Sequence, residues 1–170
     1  MYEYNRKTHS QAKYKIMMPK LNILLVDADP KSKGHLSQVI NSLDLDLHFA
    51  DCTVAAKLNI QSGSSLPDII LTDIFLETDT AGIDLLTWCQ QKYPHIPVIL
   101  LTNAESKEIA IGALKLGAVD FFEKSSRQEK ITKSLEHIIN NVHNSRQLEV
   151  MKKRSSKIDK LATIGVMTST

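Results

Sequence analysis

Short apolar blocks alternate five times along this chain with stretches whose apolar residues recur every three or four positions. Residues 21–26 are unbroken by a polar side chain after Asn22, the pattern of a strand buried on both faces. Asp29 and Pro30 then start a helix, an acid at the N-cap and proline at the first helical position. Leu36, Val39, Ile40 and Leu43 supply its apolar stripe. Leu45, Leu47 and Phe49 alternate with polar residues as a half-buried strand does. Residues 53–60 read as a short helix ended by the loop Ser62-Gly63-Ser64-Ser65. Pro67 and Asp68 introduce a third strand over residues 69–72, and residues 82–93 form a helix that turns Ile83, Leu86 and Trp88 toward the body. Pro97 opens a fourth strand over residues 98–102. Residues 106–116 are helical with Gly117 as a left-handed cap, and residues 119–122 are a fifth strand.

Five strands separated by helices specify a parallel sheet covered on both faces. The fold class expected is α/β, a flavodoxin-like doubly wound five-stranded parallel sheet. A long helical extension follows it. Beyond Ser126 no strand pattern returns: Ile131, Leu135, Ile138 and Val142 keep the spacing of a core-facing seam, and Leu148, Met151, Ile158 and Leu161 resume it in another phase. No glycine or proline interrupts the chain between Ser125 and Gly165. A helix over that stretch runs on the order of 60 Å, more than one domain can cover, so its second half calls for a partner helix, and a coiled-coil homodimer supplies one. The expected organisation is a disordered basic arm over residues 1–20, a domain over 21–143 and a helical connector over 144–170.

Charge adds a pattern that the net value of +2 hides. Residues 1–20 carry five basic groups and one acid, residues 21–125 seven and fourteen, and residues 126–170 nine and four. An acidic body argues against a nucleic-acid reader, which needs a positive face. The cluster Lys152, Lys153 and Arg154 reads as a solvated face of the connector. No apolar run approaches the roughly 20 residues of a membrane span, and the amino terminus lacks the apolar core of a signal peptide. Cys52 and Cys89 fit neither a metal spacing nor a disulfide framework, so a cytoplasmic location is expected. The six histidines form no ligand cluster in sequence, and His137 reads as a surface residue.

In doubly wound sheets, chemistry gathers beyond the carboxyl ends of the strands. Those positions hold Asp27 after the first strand, Asp73 after the third, Thr102 after the fourth and Lys124 just past the fifth. Two acids, a hydroxyl and an ammonium converging on one crevice suit a site for a cation and a phosphoryl group. A carboxylate is a competent nucleophile when a divalent ion offsets its repulsion from phosphate. Glycine patterns that cradle a nucleotide are absent, and acids at the first strand end repel a bare phosphate, which weighs against a flavin or nucleotide enzyme.

The segments ILLVDADP, PDIILTDIFL, PVILLTN and GAVDFFEKS, in that order and spacing, resemble the signature segments of response-regulator receiver domains over roughly residues 21–143. The resemblance implies Asp73 as the phospho-acceptor, with Thr102 and Lys124 as its catalytic companions and Thr102 and Phe121 as the switch pair. It implies a Mg2+ site of Asp27, Asp73 and the Phe75 backbone carbonyl. A phosphohistidine donor protein, a histidine kinase or a phosphotransfer protein, is the implied partner. The tail LATIGVMTST is similar to the segment just before the phospho-accepting histidine of kinase dimerisation helices, which implies a receiver in front of a histidine kinase.

Three departures from the family pattern bear on function. Ala28 stands where the family usually has a second acid that binds the metal, so Mg2+ binding should be weak. Asp29, one residue on, reads as a helix cap, while Glu77 and Asp79 in the loop after Asp73 are alternative metal acids. Ser125 replaces the proline that usually follows the lysine. Phe75 and Ala104 are apolar at places that in this family influence attack of water on the phospho-aspartate, so the resemblance implies a long-lived phosphoryl mark. A second reading also fits Ala28: a receiver that no longer uses the metal and serves as a dimerisation and docking unit.

Overall fold

The computed structural model describes residues 20–63 and 66–167; the arm expected over residues 1–20 lies outside them apart from Lys20, as do Ser64, Ser65 and the last three residues. The strands are β1 (Asn22–Val26), β2 (Asp46–Ala50), β3 (Ile69–Asp73), β4 (Val98–Thr102) and β5 (Asp120–Glu123). They form one parallel sheet in the order β2-β1-β3-β4-β5. The helices are α1 (Pro30–Ser42), α2 (Thr53–Ser62), α3 (Ala81–Lys92), α4 (Lys107–Leu114, after a 3-10 turn at Ala104–Ser106) and α5 (Gln128–Met167).

Every residue of β3 and β4 is buried, because side chains alternate between two covered faces. Ile23, Leu25, Ile69, Leu71, Ile99 and Leu101 point to α1 and α5, where they meet Leu36, Ile40, Ile131 and Leu135. Leu24, Val26, Ile70, Val98 and Leu100 point to α2, α3 and α4, where they meet Ile60, Leu85, Leu86 and Ala110. Truncating one of these leucines or isoleucines to alanine costs about 2–5 kcal/mol. The chain runs from β1 outward to β2, then returns to β3 and continues the other way. The reversal between β1 and β3 opens a crevice at their carboxyl ends.

Asp29 caps α1 as expected, its carboxylate accepting from Lys31 N at 3.0 Å and Ser32 N at 3.2 Å. The stretch expected to be helical over residues 106–116 is shorter as an α-helix. After Leu114 the chain closes with Gly117 N donating to the Leu114 carbonyl and Ala118 N to that of Ala113, and Gly117 sits at φ 101°. That pairing is the glycine-terminated cap the sequence suggested, displaced outward by a tightened last turn. Phe49 departs from expectation. It is 47% exposed, because β2 is an edge strand with a single neighbour and incomplete cover.

Helix α5 is continuous across the expected boundary at residue 143. Ile131, Leu135 and Ile138 are buried against the sheet, and Ile139 and Val142 are partly buried beside them. Arg146 then pairs with the buried carboxylate of Asp68, at the start of β3, which also accepts from Asn22 N at 2.8 Å. Beyond this clamp, every side chain from Leu148 to Ile158 is exposed.

Candidate functional site

Asp27 directly follows β1, Asp73 ends β3, Thr102 ends β4 and Lys124 directly follows β5, one residue nearer the sheet than the sequence suggested. Lys124 N donates to the Thr102 carbonyl at 2.8 Å, which continues the ladder past the strand and aims the side chain across β4. A turn with Ser126 N donating to the Glu123 carbonyl at 2.8 Å holds this loop in place of the missing proline. The Lys124 ammonium lies 2.6 Å from Asp73 Oδ2 and 2.9 Å from Asp27 Oδ2. The other oxygens are held by the backbone: Asp29 N donates to Asp27 Oδ1 at 2.8 Å and Phe75 N to Asp73 Oδ1 at 3.3 Å.

Glycine at position 82 lets α3 approach this site. A Cβ there would stand 1.9 Å from the Asp73 carbonyl oxygen, while Gly82 N donates to the Ile74 carbonyl at 3.0 Å. The helix start and the end of β3 are thus in direct backbone contact.

One ammonium faces two carboxylates in a crevice nearly closed to water, so the trio carries one uncompensated negative charge. Burial, with Asp27 adding to it, raises the Asp73 carboxyl above the usual range despite the hydrogen bond from Lys124. Burial lowers the Lys124 ammonium, but the hydrogen bond to Asp73 and the charges of both aspartates outweigh it and raise it overall. Asp27 Oδ2 is fully buried, and its contact with Lys124 is an ion pair without an aligned hydrogen bond. An excess negative charge and a carboxylate oxygen with an open lone pair fit a small, hard, oxygen-seeking cation. The fit is in donor type: among the described residues, no three His, Cys, Asp or Glu side chains converge on one point.

The alternative acids do not join the site. Asp29 is engaged at the α1 cap, and its carboxyl is lowered by the hydrogen bond from Lys31 N. Glu77 turns away to the start of α2, where Oε1 accepts from Thr53 N at 2.7 Å and from Thr53 Oγ1 at 2.8 Å. Ala28 is exposed at the mouth. A shallow depression lined by Asn22, Asn41, Asp46 and Phe49 runs along the β2 edge and shares no residue with the crevice.

Thr102 is 1% exposed, and its hydroxyl is turned into the 3-10 turn, 2.9 Å from Ser106 Oγ and 2.9 Å from the Asn103 carbonyl. Phe121 is half-buried against the α2–α4 side of the core. Ser106 did not stand out in the sequence, where it reads only as the first residue of a helical stretch. The Asp68–Arg146 clamp joins residues 78 positions apart and left no local signal.

The profile of the response regulator receiver domain matches residues 23–136. Among curated proteins, the chain is 25% identical over 132 residues to the nitrogen assimilation regulatory protein NtrX of Azorhizobium caulinodans, covering 77% of this chain and 29% of that protein. It is 34% identical over 107 residues to the response regulator PilR of Pseudomonas aeruginosa, covering 63% of this chain and 23% of that one. The chain therefore spans less than a third of the length of these relatives. Among solved structures, the receiver domain of NtrX from Brucella abortus superposes with a TM-score of 0.64 at 23% identity, covering 69% of this chain and 98% of that domain. With the profile matched over two thirds of its length and the same sheet observed, this chain belongs to the response regulator receiver domain family.

Proposed function

We propose that this domain is a phospho-acceptor switch in a two-component phosphorelay, with Asp73 as the acceptor. The observation that carries this reading is the Asp27–Lys124–Asp73 trio at the β1/β3 reversal, with its excess negative charge. Receiver domains take phosphate from histidine kinases and use Mg2+ to do so. Here an Asp73 oxygen attacks the phosphorus of a phosphohistidine, the P–N bond breaks and the imidazole leaves. Asp27, Asp73 and the Phe75 carbonyl would hold Mg2+, which would offset the charge of the incoming phosphoryl group. Lys124, already at Asp73, is placed to hold a phosphoryl oxygen.

Thr102 swings to another phosphoryl oxygen as the group arrives, and Phe121 moves into the space it leaves. The repacking reaches α5 through β5, where Asp120 accepts from Ser134 of α5. Because α5 is one helix to Met167, a rotation at its base is delivered to whatever follows. The resemblance of residues 161–170 supports a histidine kinase module there; the curated relatives, being response regulators, support a regulator output module. A longer chain tested for phosphohistidine formation decides between them.

The test of the switch is intact mass after incubation with acetyl phosphate, with and without Mg2+, beside Asp73→Asn. A Mg2+-dependent gain of one phosphoryl group, absent from the variant, is expected. No gain at high Mg2+ leaves the docking reading, which Ala28 favours.

A further inference from the structure

The hydroxyls of Thr102 and Ser106 lie 2.9 Å apart, on side chains 1% and 3% exposed. Both also reach the Asn103 carbonyl, Thr102 Oγ1 at 2.9 Å and Ser106 Oγ at 3.2 Å, while Asn103 N donates to Ser106 Oγ at 3.1 Å. Each hydroxyl has a single proton. When Thr102 donates to the Asn103 carbonyl, Ser106 is free to donate to Thr102 or to the same carbonyl. When Ser106 alone donates to that carbonyl, Thr102 donates to Ser106. In each arrangement that keeps both Thr102 contacts, the Thr102 proton is used within the turn rather than directed at a phosphoryl oxygen on Asp73.

We propose that Ser106 is a positioning residue, a latch that holds the Thr102 hydroxyl away from the acceptor and so limits how fast Asp73 captures a phosphoryl group. The proposal rests on the phospho-acceptor reading above. Its physical basis is an asymmetry. If Thr102 leaves, Ser106 still accepts from Asn103 N and donates to the Asn103 carbonyl, so no buried group is orphaned. Release therefore breaks little more than the contacts of one hydroxyl, and the latched and released positions differ by a small free energy that a single substitution can tip. Removing the Ser106 hydroxyl takes away one of the two partners of Thr102 and shifts the balance by about threefold to tenfold. Asn103 is exposed, so water replaces the acceptor its N–H loses.

The experiment is the initial rate of acetyl phosphate labelling of the full chain in saturating Mg2+, followed by intact mass. Ser106→Ala is expected to label about threefold to tenfold faster than the unaltered chain, and Ser106→Thr, which restores the hydroxyl, to return to its rate. In a Thr102→Ala background, adding Ser106→Ala should change nothing, since the latch has nothing to hold. Ser106→Gly, tolerated at a helix cap, replaces the alanine variant if that one does not fold. An unaltered or slower rate in Ser106→Ala overturns the latch, as does an acceleration that survives in Thr102→Ala. Failure of the unaltered chain to label at all is a different result: it removes the phospho-acceptor reading, and the latch with it.

Discussion

Lys124 reaches Asp73 from two strands away, crossing over β4 to bring its ammonium within 2.6 Å of the Asp73 carboxylate. The same ammonium lies 2.9 Å from Asp27, whose side chain has no exposure to solvent. It therefore supplies part of the counter-charge that a divalent cation would bring to the same carboxylates. Lys124→Met should leave two close carboxylates without a counter-charge and destabilise the fold by about 3–5 kcal/mol. Urea unfolding reads this directly. Millimolar Mg2+ should recover part of the loss, because it binds only the folded state. An unchanged urea midpoint would mean that water reaches the carboxylates after all.

Asp73→Asn should have the opposite sign. Burial raises the Asp73 carboxyl in the folded state, so folding favours its protonated form. The stability that goes with protonation is complete below the unfolded value of about 3.9 and is lost as pH rises through the raised folded value. At pH 7 the carboxylate is thus a liability that asparagine removes, while Asp27 keeps Lys124 paired. The variant should be more stable than the unaltered chain at pH 7, and this advantage should shrink toward pH 4. A constant difference at both pH values would assign the effect to packing instead.

Much of this arrangement was legible because it is written in local order. The blocks at residues 21–26, 69–72 and 98–102 read as strands, the first as buried on both faces, and the strand ends then nominated Asp27, Asp73, Thr102 and Lys124, of which the structure joins three in direct contact. What the pattern missed depends on rotamers and on distant partners. Phe49 keeps a strand rhythm whether or not anything covers it, and only the sheet order makes β2 an edge. The direction of the Thr102 hydroxyl is a side-chain torsion, so its bond to Ser106 has no sequence signature. Glu77 read as a spare metal acid because spacing places it near Asp73, whereas the open backbone at the start of α2 claims it first.

That engagement separates two variants. Ala28 is exposed, so aspartate fits there without repacking and adds a carboxylate at the mouth of the crevice. Ala28→Asp should lower the Mg2+ concentration for half-maximal labelling by roughly tenfold. Glu77→Gln should leave that concentration unchanged and lower thermal stability slightly. Burial, which raises the Glu77 carboxyl, is outweighed by its bonds to Thr53, so its contribution is present above about pH 4.3 and lost in more acid solution. A large rise in the Mg2+ requirement of Glu77→Gln would put Glu77 back in the metal site.

Gly82 tests the acceptor strand from behind. The 1.9 Å between its would-be Cβ and the Asp73 carbonyl oxygen is a backbone contact that no rotamer relieves. Gly82→Ala should push α3 and the end of β3 apart, costing about 3 kcal/mol, and should slow labelling of Asp73 well beyond the loss of folded protein. Labelling at the unaltered rate, per folded molecule, would show that the acceptor tolerates the displacement.

The exposed half of α5 sets the last expectation. Leu148, Met151 and Ile158 are 58%, 64% and 65% exposed on a helix already fixed at its base by Arg146 and Asp68. Leu148 and Met151 lie three residues apart and Ile158 a further seven, the spacing of a two-stranded seam. A second copy of the same helix in parallel register would cover all three and hold both receiver domains at one end. Light scattering should therefore report a dimer for the full chain. Met151→Asp, placing a charge in the middle of the seam, should raise the dissociation constant by about 100-fold or more, roughly 2.7 kcal/mol. The variant should retain its urea midpoint at dilute concentration, because Met151 lies beyond the clamp and touches none of the buried core. A dimer that survives Met151→Asp would move the interface off this helix and onto the receiver body, where Ile109, Ile111 and Leu116 are also exposed.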